Sequence, residues 1–231
     1  MWLNNFLSTR FGKPKKLYKY MDAKGAKNFF DNPSLWFSLP SRLNDIYDLN
    51  PVGAHPTQWG GAGILCFSDT PTSVPMWAHY GKKGNGVVLE FSFQSDFFRK
   101  YPPRKVRYRS KRPVVKNTEK AFLTKDIAWS YEREWRCITA AEYDEFHEQE
   151  FLGHHQAISV PFPYEALTSV IYGHDSQVVE AAQSFLTRPE ASHVREFVCR
   201  ENAWNYGLRI CTRDDLSYIL ERRDAIDLGR R

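Results

Sequence analysis

Long apolar runs are missing from this chain. None approaches the ~20 residues that a membrane-spanning helix needs, and Trp2, Leu3, Phe6 and Leu7 near the start are broken up by Asn4, Asn5, Ser8 and Thr9. No apolar h-region follows a basic start, so the expectation is no signal peptide, no membrane partner and a cytoplasmic protein. Cysteine is scarce. Cys66, Cys137, Cys199 and Cys211 lie far apart with no Cys-x-x-Cys pair, which excludes a zinc ribbon and a dithiol redox motif and leaves buried free thiols as the expectation. The seven histidines include adjacent His154 and His155 but show no His-x-x-x-His spacing, so no metal ligand is assigned. The stretch from Gly81 to Gly86 lacks the Gly-Lys-Ser/Thr of a Walker loop, and no Gly-x-Ser-x-Gly elbow occurs. Strong charge of one sign is absent too. A net charge of +5 permits an anionic ligand, but no helix-turn-helix or basic helix points to sequence-specific DNA recognition.

Aromatic residues, by contrast, make up 15% of the 231 residues, and hydrophobic residues 42%. That is enough for one sizeable core with aromatic-lined surfaces. The organisation predicted is a leader over 1–16 ending in a basic loop, a single catalytic-type domain over 17–211, and a C-terminal helix with a charged tail over 212–231. Within the domain, Leu17-Tyr18-Lys19-Tyr20 reads as a strand, and Asp22 as the cap of a helix carrying Ala26, Phe29 and Phe30. Strands are also predicted at 35–39, 63–68, 87–91, 105–108, 157–160 and 167–172, with a hairpin of 194–199 and 206–211. Short helices are expected at 75–80, 118–128 and 178–186. The glycine- and proline-rich stretch 50–63 reads as a long loop, and acidic 142–150 as a loop or solvated helix. Many short strands with few helices define an α+β domain built on a mixed, mainly antiparallel sheet.

One stretch concentrates chemistry. Residues 129–136, Trp-Ser-Tyr-Glu-Arg-Glu-Trp-Arg, hold four charged groups and three aromatics. As a strand, they would put Glu132, Glu134 and Arg136 on one face, with Tyr131, Arg133 and Trp135 on the other. Two carboxylates about 7 Å apart could serve one substrate in two roles. Four further clusters are hard to explain by packing: Tyr18 and Tyr20; Ser38 with Asn44 and Asp45; Ser68 with Asp69; and Trp77, His79 and Tyr80. Polar groups at strand ends beside aromatic walls are the usual ingredients of a ligand site.

Taken in order, Leu17-Tyr18-Lys19-Tyr20, Trp36-Phe37-Ser38-Leu39-Pro40 with Leu43-Asn44-Asp45, Cys66-Phe67-Ser68, Met76-Trp77-Ala78-His79-Tyr80, the run from Gly86 to Phe91, Lys125, Trp129 and the stretch from Tyr131 to Arg136 resemble the bacterial domain of unknown function 2971 across roughly residues 17–211. Ile46 and Asp48 depart from that pattern, which has Pro and often Glu there. The layout is also similar to ADP-ribosyltransferases, which use a polar first-strand residue, a second-strand Ser or Tyr and a late Glu, often as Glu-x-Glu. That resemblance implies NAD as substrate. Tyr18, Tyr20 or Lys19 would fill the first position, where those enzymes more often carry His or Arg. Ser38 would fill the second, and Glu132 and Glu134 the last. Glu134 would stabilise an oxocarbenium-like state and Glu132 would orient or deprotonate the acceptor. Tyr20, Trp77 or Tyr80 would stack on the bases, and Arg136 or Lys82 would meet the pyrophosphate. Asn44, Asp45, Ser68 and His79 complete the expected nucleotide site. The role implied is that of a toxin or defence component with an unnamed macromolecular acceptor. Two other readings stand beside it. Asp45, Asp48, Glu90, Glu132 and Glu134 with Lys125 could hold Mg²⁺ in a nuclease or phosphotransferase. Alternatively, the aromatic surface could belong to a non-enzymatic ligand- or partner-binding module.

Overall fold

The computed structural model describes residues 14–45, 47, 62–114, 118–140, 147–149 and 155–212. The leader up to residue 13, most of the loop 50–63, Ile46, Asp48, His154 and the tail from 213 lie outside the described residues.

Strand β1 (Lys16–Met21) leads into helix α1 (Ala23–Asp31), whose first turn is capped by Asp22 accepting from the Gly25 N–H at 2.8 Å. The helix buries Ala26, Phe29 and Phe30, as their spacing requires. Then follow β2 (Ser34–Ser38), β3 (Ala62–Ser68), α2 (Val74–His79), β4 (Val87–Ser92) and α3 (Asp96–Lys100). Short β5 (Arg104–Lys105), β6 (Arg107–Arg109), α4 (Thr118–Phe122) and β7 (Thr124–Asp126) precede the long β8 (Glu134–Ala140). The chain closes with β9 (His147–Gln149), β10 (His155–Pro161), β11 (Leu167–Tyr172), α5 (Val179–Leu186), β12 (Arg195–Glu201) and β13 (Leu208–Cys211).

Among the described residues, eleven strands form one sheet in the order β13-β12-β11-β4-β1-β3-β2-β10-β9, with β8 beside β3 and β5 beside β8. The pairs β11–β12 and β6–β7 are parallel and the rest antiparallel. The expected α+β class with a mixed, mainly antiparallel sheet is therefore present. One face carries Leu17, Phe37, Phe67, Leu89 and Phe91, which are buried with Phe29 and Phe30 of α1 and Phe185 of α5.

The sheet is divided near its middle. Strand β1 pairs with β4 along all six of its residues, but with β3 only at Tyr18↔Ser68. Strand β3 in turn pairs with β8 over seven positions. The register draws one polar row across five strands: Ser169 beside Glu90, Glu90 beside Tyr18, Tyr18 beside Ser68, and Ser68 beside Glu134. Cross-strand partners share a face, so this row lies opposite the aromatic core.

Several local expectations need correction. The predicted helix over 118–128 stops at Phe122, because Thr124–Asp126 pairs instead with Arg107–Arg109. The single strand expected at 105–108 is broken at Val106, which is buried and whose N–H donates to the Glu134 carbonyl at 2.9 Å. That break sends β5 to β8 and β6 to β7. His147–Gln149, within the acidic stretch, pairs with β10. Helix α3, which buries Phe97 and Phe98, is too short to give a periodic signal in the sequence.

Candidate functional site

The largest correction falls on residues 129–136. They do not form one strand. Ile127–Glu132 make a 3-10 helical turn, capped by the Asp126 carboxylate accepting from the Ala128 N–H at 2.8 Å. Arg133 then takes a left-handed backbone (φ 49°, ψ 47°), and the strand begins at Glu134. Strand alternation therefore does not place Glu132 beside Glu134. The turn does, because it folds the Glu132 carboxylate back over the start of β8.

Lys125 lies between the two. Its Nζ donates to Glu132 Oε2 at 2.6 Å and lies 3.6 Å from Glu134 Oε2. All three side chains are buried, with Glu132 and Glu134 each 4% exposed. Glu134 also accepts a bidentate pair from Arg136, Nε to Oε1 at 2.8 Å and Nη2 to Oε2 at 2.9 Å. Arg136 is 0% exposed, and its Nη1 donates to the Phe122 carbonyl at 2.9 Å. Glu132 Oε1 accepts from the Tyr80 hydroxyl at 2.6 Å, and that hydroxyl accepts from Asn44 Nδ2.

These partners drive the two carboxyls apart. Burial raises the proton affinity of Glu132, with Lys125 opposing it. Glu134 is buried too, but Arg136 and then Lys125 outweigh that burial and hold it down at about 2. Glu134 is thus a fixed anion and Glu132 a carboxyl that can carry a proton. Two such groups side by side are the usual division between a charge stabiliser and an acid–base.

Both face a cavity of about 210 Å³, also lined by Tyr18, Lys19, Tyr20, Arg42, Leu43, Asn44, Cys66, Phe67, Ser68, Met76, Tyr80 and Lys125. The cavity opens where β1 and β3 part beyond Tyr18↔Ser68. Ser68 lines it with a committed hydroxyl, which donates to the Glu132 carbonyl at 2.7 Å and fixes the turn. Tyr20 forms a wall. Its hydroxyl donates to the Thr70 carbonyl at 2.9 Å and its ring meets Trp77 edge-on at 5.5 Å. Burial, then Glu90, pushes the Tyr18 phenol up, while burial, then Glu132, does the same to Tyr80. Both remain protonated donors.

The other predicted residues lie elsewhere. Trp77 is packed behind Tyr20 with its indole N–H on the Pro71 carbonyl at 2.8 Å. His79 is exposed and stacks on Tyr131 at 5.9 Å. Ser38 sits opposite Ile64 and Ala157 at the end of β2. Asp45 is buried, accepting from the Tyr47 N–H at 2.9 Å. Arg136 lies behind Glu134 and is not among the lining residues, so it neutralises the carboxylate. Lys82 is exposed and is not among the lining residues. The glycines beside it serve backbone packing: a Cβ on Gly86 would stand 1.9 Å from the Met21 carbonyl oxygen.

The sequence reading missed how central Lys125 and Lys19 are. The signal was available for Lys19, a cation interrupting the apolar face of a central strand. For Lys125 the predicted helix hid it. Cys66 reaches the cavity as a thiol, its proton affinity raised by burial and then by Glu134, so it is no ready nucleophile. Among the described residues, no histidine lines the cavity to activate it.

Fold and site together define an α+β protein with a buried carboxylate pair held by a shared lysine. One segment of the chain, residues 76–137, matches the family described as protein of unknown function (DUF2971). That segment runs from α2 to β8 and contains Tyr80, Lys125, Glu132, Glu134 and Arg136. The resemblance to this family read from the sequence is therefore shown; a likeness to ADP-ribosyltransferases is not. No curated protein and no solved structure matches the chain. Among the described residues, no helix is long and apolar enough to cross a membrane.

Proposed function

We propose that the cavity is the active site of a transferase that breaks the N-glycosidic bond of NAD, in the manner of an ADP-ribosyltransferase. The observation that carries this reading is the pair Glu132 and Glu134, joined through Lys125 yet driven to opposite proton affinities. The bond from the ribose anomeric carbon to nicotinamide nitrogen breaks, and its electron pair leaves with nicotinamide. Glu134, ionised at any ordinary pH, faces the positive charge left on the ribose. The acceptor attacks that carbon and gives its proton to the Glu132 carboxylate. The cavity is smaller than the ~300–1,000 Å³ usual for whole drug-sized ligands. It suits one ring with its ribose, with the rest of the dinucleotide at the mouth near Arg42.

The metal-dependent reading has less support. Lys125 holds the position between the carboxylates that a divalent ion would need, and Arg136 takes both oxygens of Glu134. Asp45 is not on the cavity, and Asp48 lies outside the described residues.

The test is nicotinamide release and thermal shift with NAD, in EDTA, for wild type and Glu132→Gln. We expect NAD to raise the melting temperature and Glu132→Gln to slow turnover by about 10²–10⁴-fold. Neither shift nor release would overturn the reading. A shift with Mg²⁺ alone would then favour the phosphotransferase, and no shift at all the binding module.

A further inference from the structure

Lys19 is at odds with its place in the fold. On β1 it follows the alternation of Leu17, the core-facing side, and its cross-strand neighbour Leu89 is fully buried. Apolar residues are the rule there, yet a lysine is present. Its stem packs toward Phe67, with Nζ 5.8 Å from the ring centroid. Its one hydrogen bond among the described residues is long, 3.4 Å to the Cys66 carbonyl. An ammonium has three N–H donors, and among the described residues no carboxylate forms an ion pair with this one. The gap left by the parting of β1 and β3 lets the head reach the cavity.

Among the described residues, the cavity is lined by three cations, Lys19, Arg42 and Lys125, and two carboxylates, Glu132 and Glu134. Arg136 adds a fourth positive charge behind Glu134. Lys125 and Arg136 make the direct ion pairs with the two carboxylates, whereas Lys19 makes no ion pair among the described residues and feels Glu134 only at longer range. A part-buried charge with one weak acceptor costs stability, and proteins keep such groups where function uses them.

We infer that Lys19 is the anion-holding group of this cavity and that its ligand places a phosphate or pyrophosphate against it. This rests on reading the cavity as a nucleotide site, and it assigns the phosphate to Lys19, a role that the resemblance to ADP-ribosyltransferases implied for Arg136 or Lys82. Burial lowers the proton affinity of Lys19, with Cys66, Cys137 and Glu134 opposing it, as expected of a cation drawn into the protein interior.

The experiment is a thermal-shift and calorimetric titration of the full chain with ADP-ribose, inorganic pyrophosphate and adenosine. It compares wild type with Lys19→Met, and with Lys19→Gln should the Met variant not fold. We expect ADP-ribose and pyrophosphate to bind the wild type and adenosine to bind much more weakly. Lys19→Met should lose at least about tenfold in affinity for both anions, roughly one charge-assisted contact, while its unliganded melting temperature stays level or rises. Equal anion affinity in wild type and variant would overturn the inference, as would failure of both anions to bind the wild type. A fall in melting temperature with anion affinity unchanged would assign Lys19 a structural role instead. The two proposals separate cleanly. Anion binding without nicotinamide release removes the transferase and keeps Lys19; nicotinamide release with undiminished affinity in Lys19→Met does the reverse.

Discussion

On one face of the sheet, Leu17, Phe37, Phe67, Leu89 and Phe91 pack under α1 and α5, and no charge interrupts the layer until Lys19. On the other face, Tyr18, Ser68, Glu90 and Glu134 run in register, with Arg136 and Lys125 buried beside them. The first face is held by area removed from water, which is non-directional and forgiving of detail. The second is held by pairs, each of which repays its desolvation only while both partners are present. Glu90 shows the same economy away from the cavity. Burial works against its ionised form, but bonds from Lys16 at 2.7 Å, Thr168 at 2.7 Å and Ser169 at 3.0 Å hold it below the usual carboxylate range. Damage on the apolar face should therefore scale with volume, and damage on the polar face with charge left alone.

The largest effect should come from Arg136→Met. It leaves Glu134 in the interior with only Lys125, 3.6 Å away, and the expected loss is about 3–5 kcal/mol in urea unfolding. Phe91→Ala on the other face should cost a similar ~3–5 kcal/mol by leaving a cavity. The two differ in how they are rescued. Adding Glu134→Leu to Arg136→Met should recover most of the loss, since an apolar pair of similar volume often replaces a buried ion pair at little cost. A loss under about 1 kcal/mol for Arg136→Met would mean that the pair is not buried as described, and the contrast between the faces would collapse. For the same reason Glu134→Gln is a poor probe of catalysis, because it leaves Arg136 without its counter-charge.

A smaller effect separates the two glutamates by pH. Glu134, held at about 2 against an ordinary 4.5, contributes stability that is present above about 4.5 and lost as pH falls toward 2. Glu132 has the opposite sign. Its proton affinity is raised in the fold, so its contribution is full below the ordinary carboxylate range and is lost as pH rises through its folded value. Relative to wild type, Glu132→Gln should therefore gain stability as pH rises past that range. Phe91→Ala should stay offset from wild type by a constant amount at every pH. A pH-independent offset for Glu132→Gln would show that the carboxyl is not desolvated.

The same contrast explains what could be read in the sequence. The apolar face announces itself by spacing: Ala26, Phe29 and Phe30 mark a helix face, and Val87 to Phe91 a buried strand. Both elements stand where the pattern puts them. The polar face has no such period. Tyr18, Ser68, Glu90 and Glu134 are far apart in sequence, and only the register of four neighbouring pairs aligns them. The pair Glu132 and Glu134 was visible as a cluster, but the device that joins them was not. A left-handed Arg133 carries no composition signal, since it is neither glycine nor asparagine. Lys125 was hidden for a related reason. Its neighbours Ala121, Phe122 and Leu123 read as a continuing helix, while the pairing that ends the helix lies on a strand about seventeen residues earlier, Tyr108 beside Lys125.

The smallest expected effect tests the part of the fold that is local and fully written in sequence. Asp22 caps α1 through one bond to the Gly25 N–H, at the point where β1 hands the chain to the helix. Asp22→Ala should cost about 1 kcal/mol, with urea unfolding as the measure. It touches neither the phenylalanine core nor the cavity lining. Its effect should therefore add to that of Phe91→Ala within ~0.5 kcal/mol, as independent sites do. It should also leave anion affinity at Lys19 unchanged. If affinity falls with the cap, then α1 fixes the end of β1 and so the gap that admits Lys19. The two faces would then be one cooperative unit rather than two separately built layers.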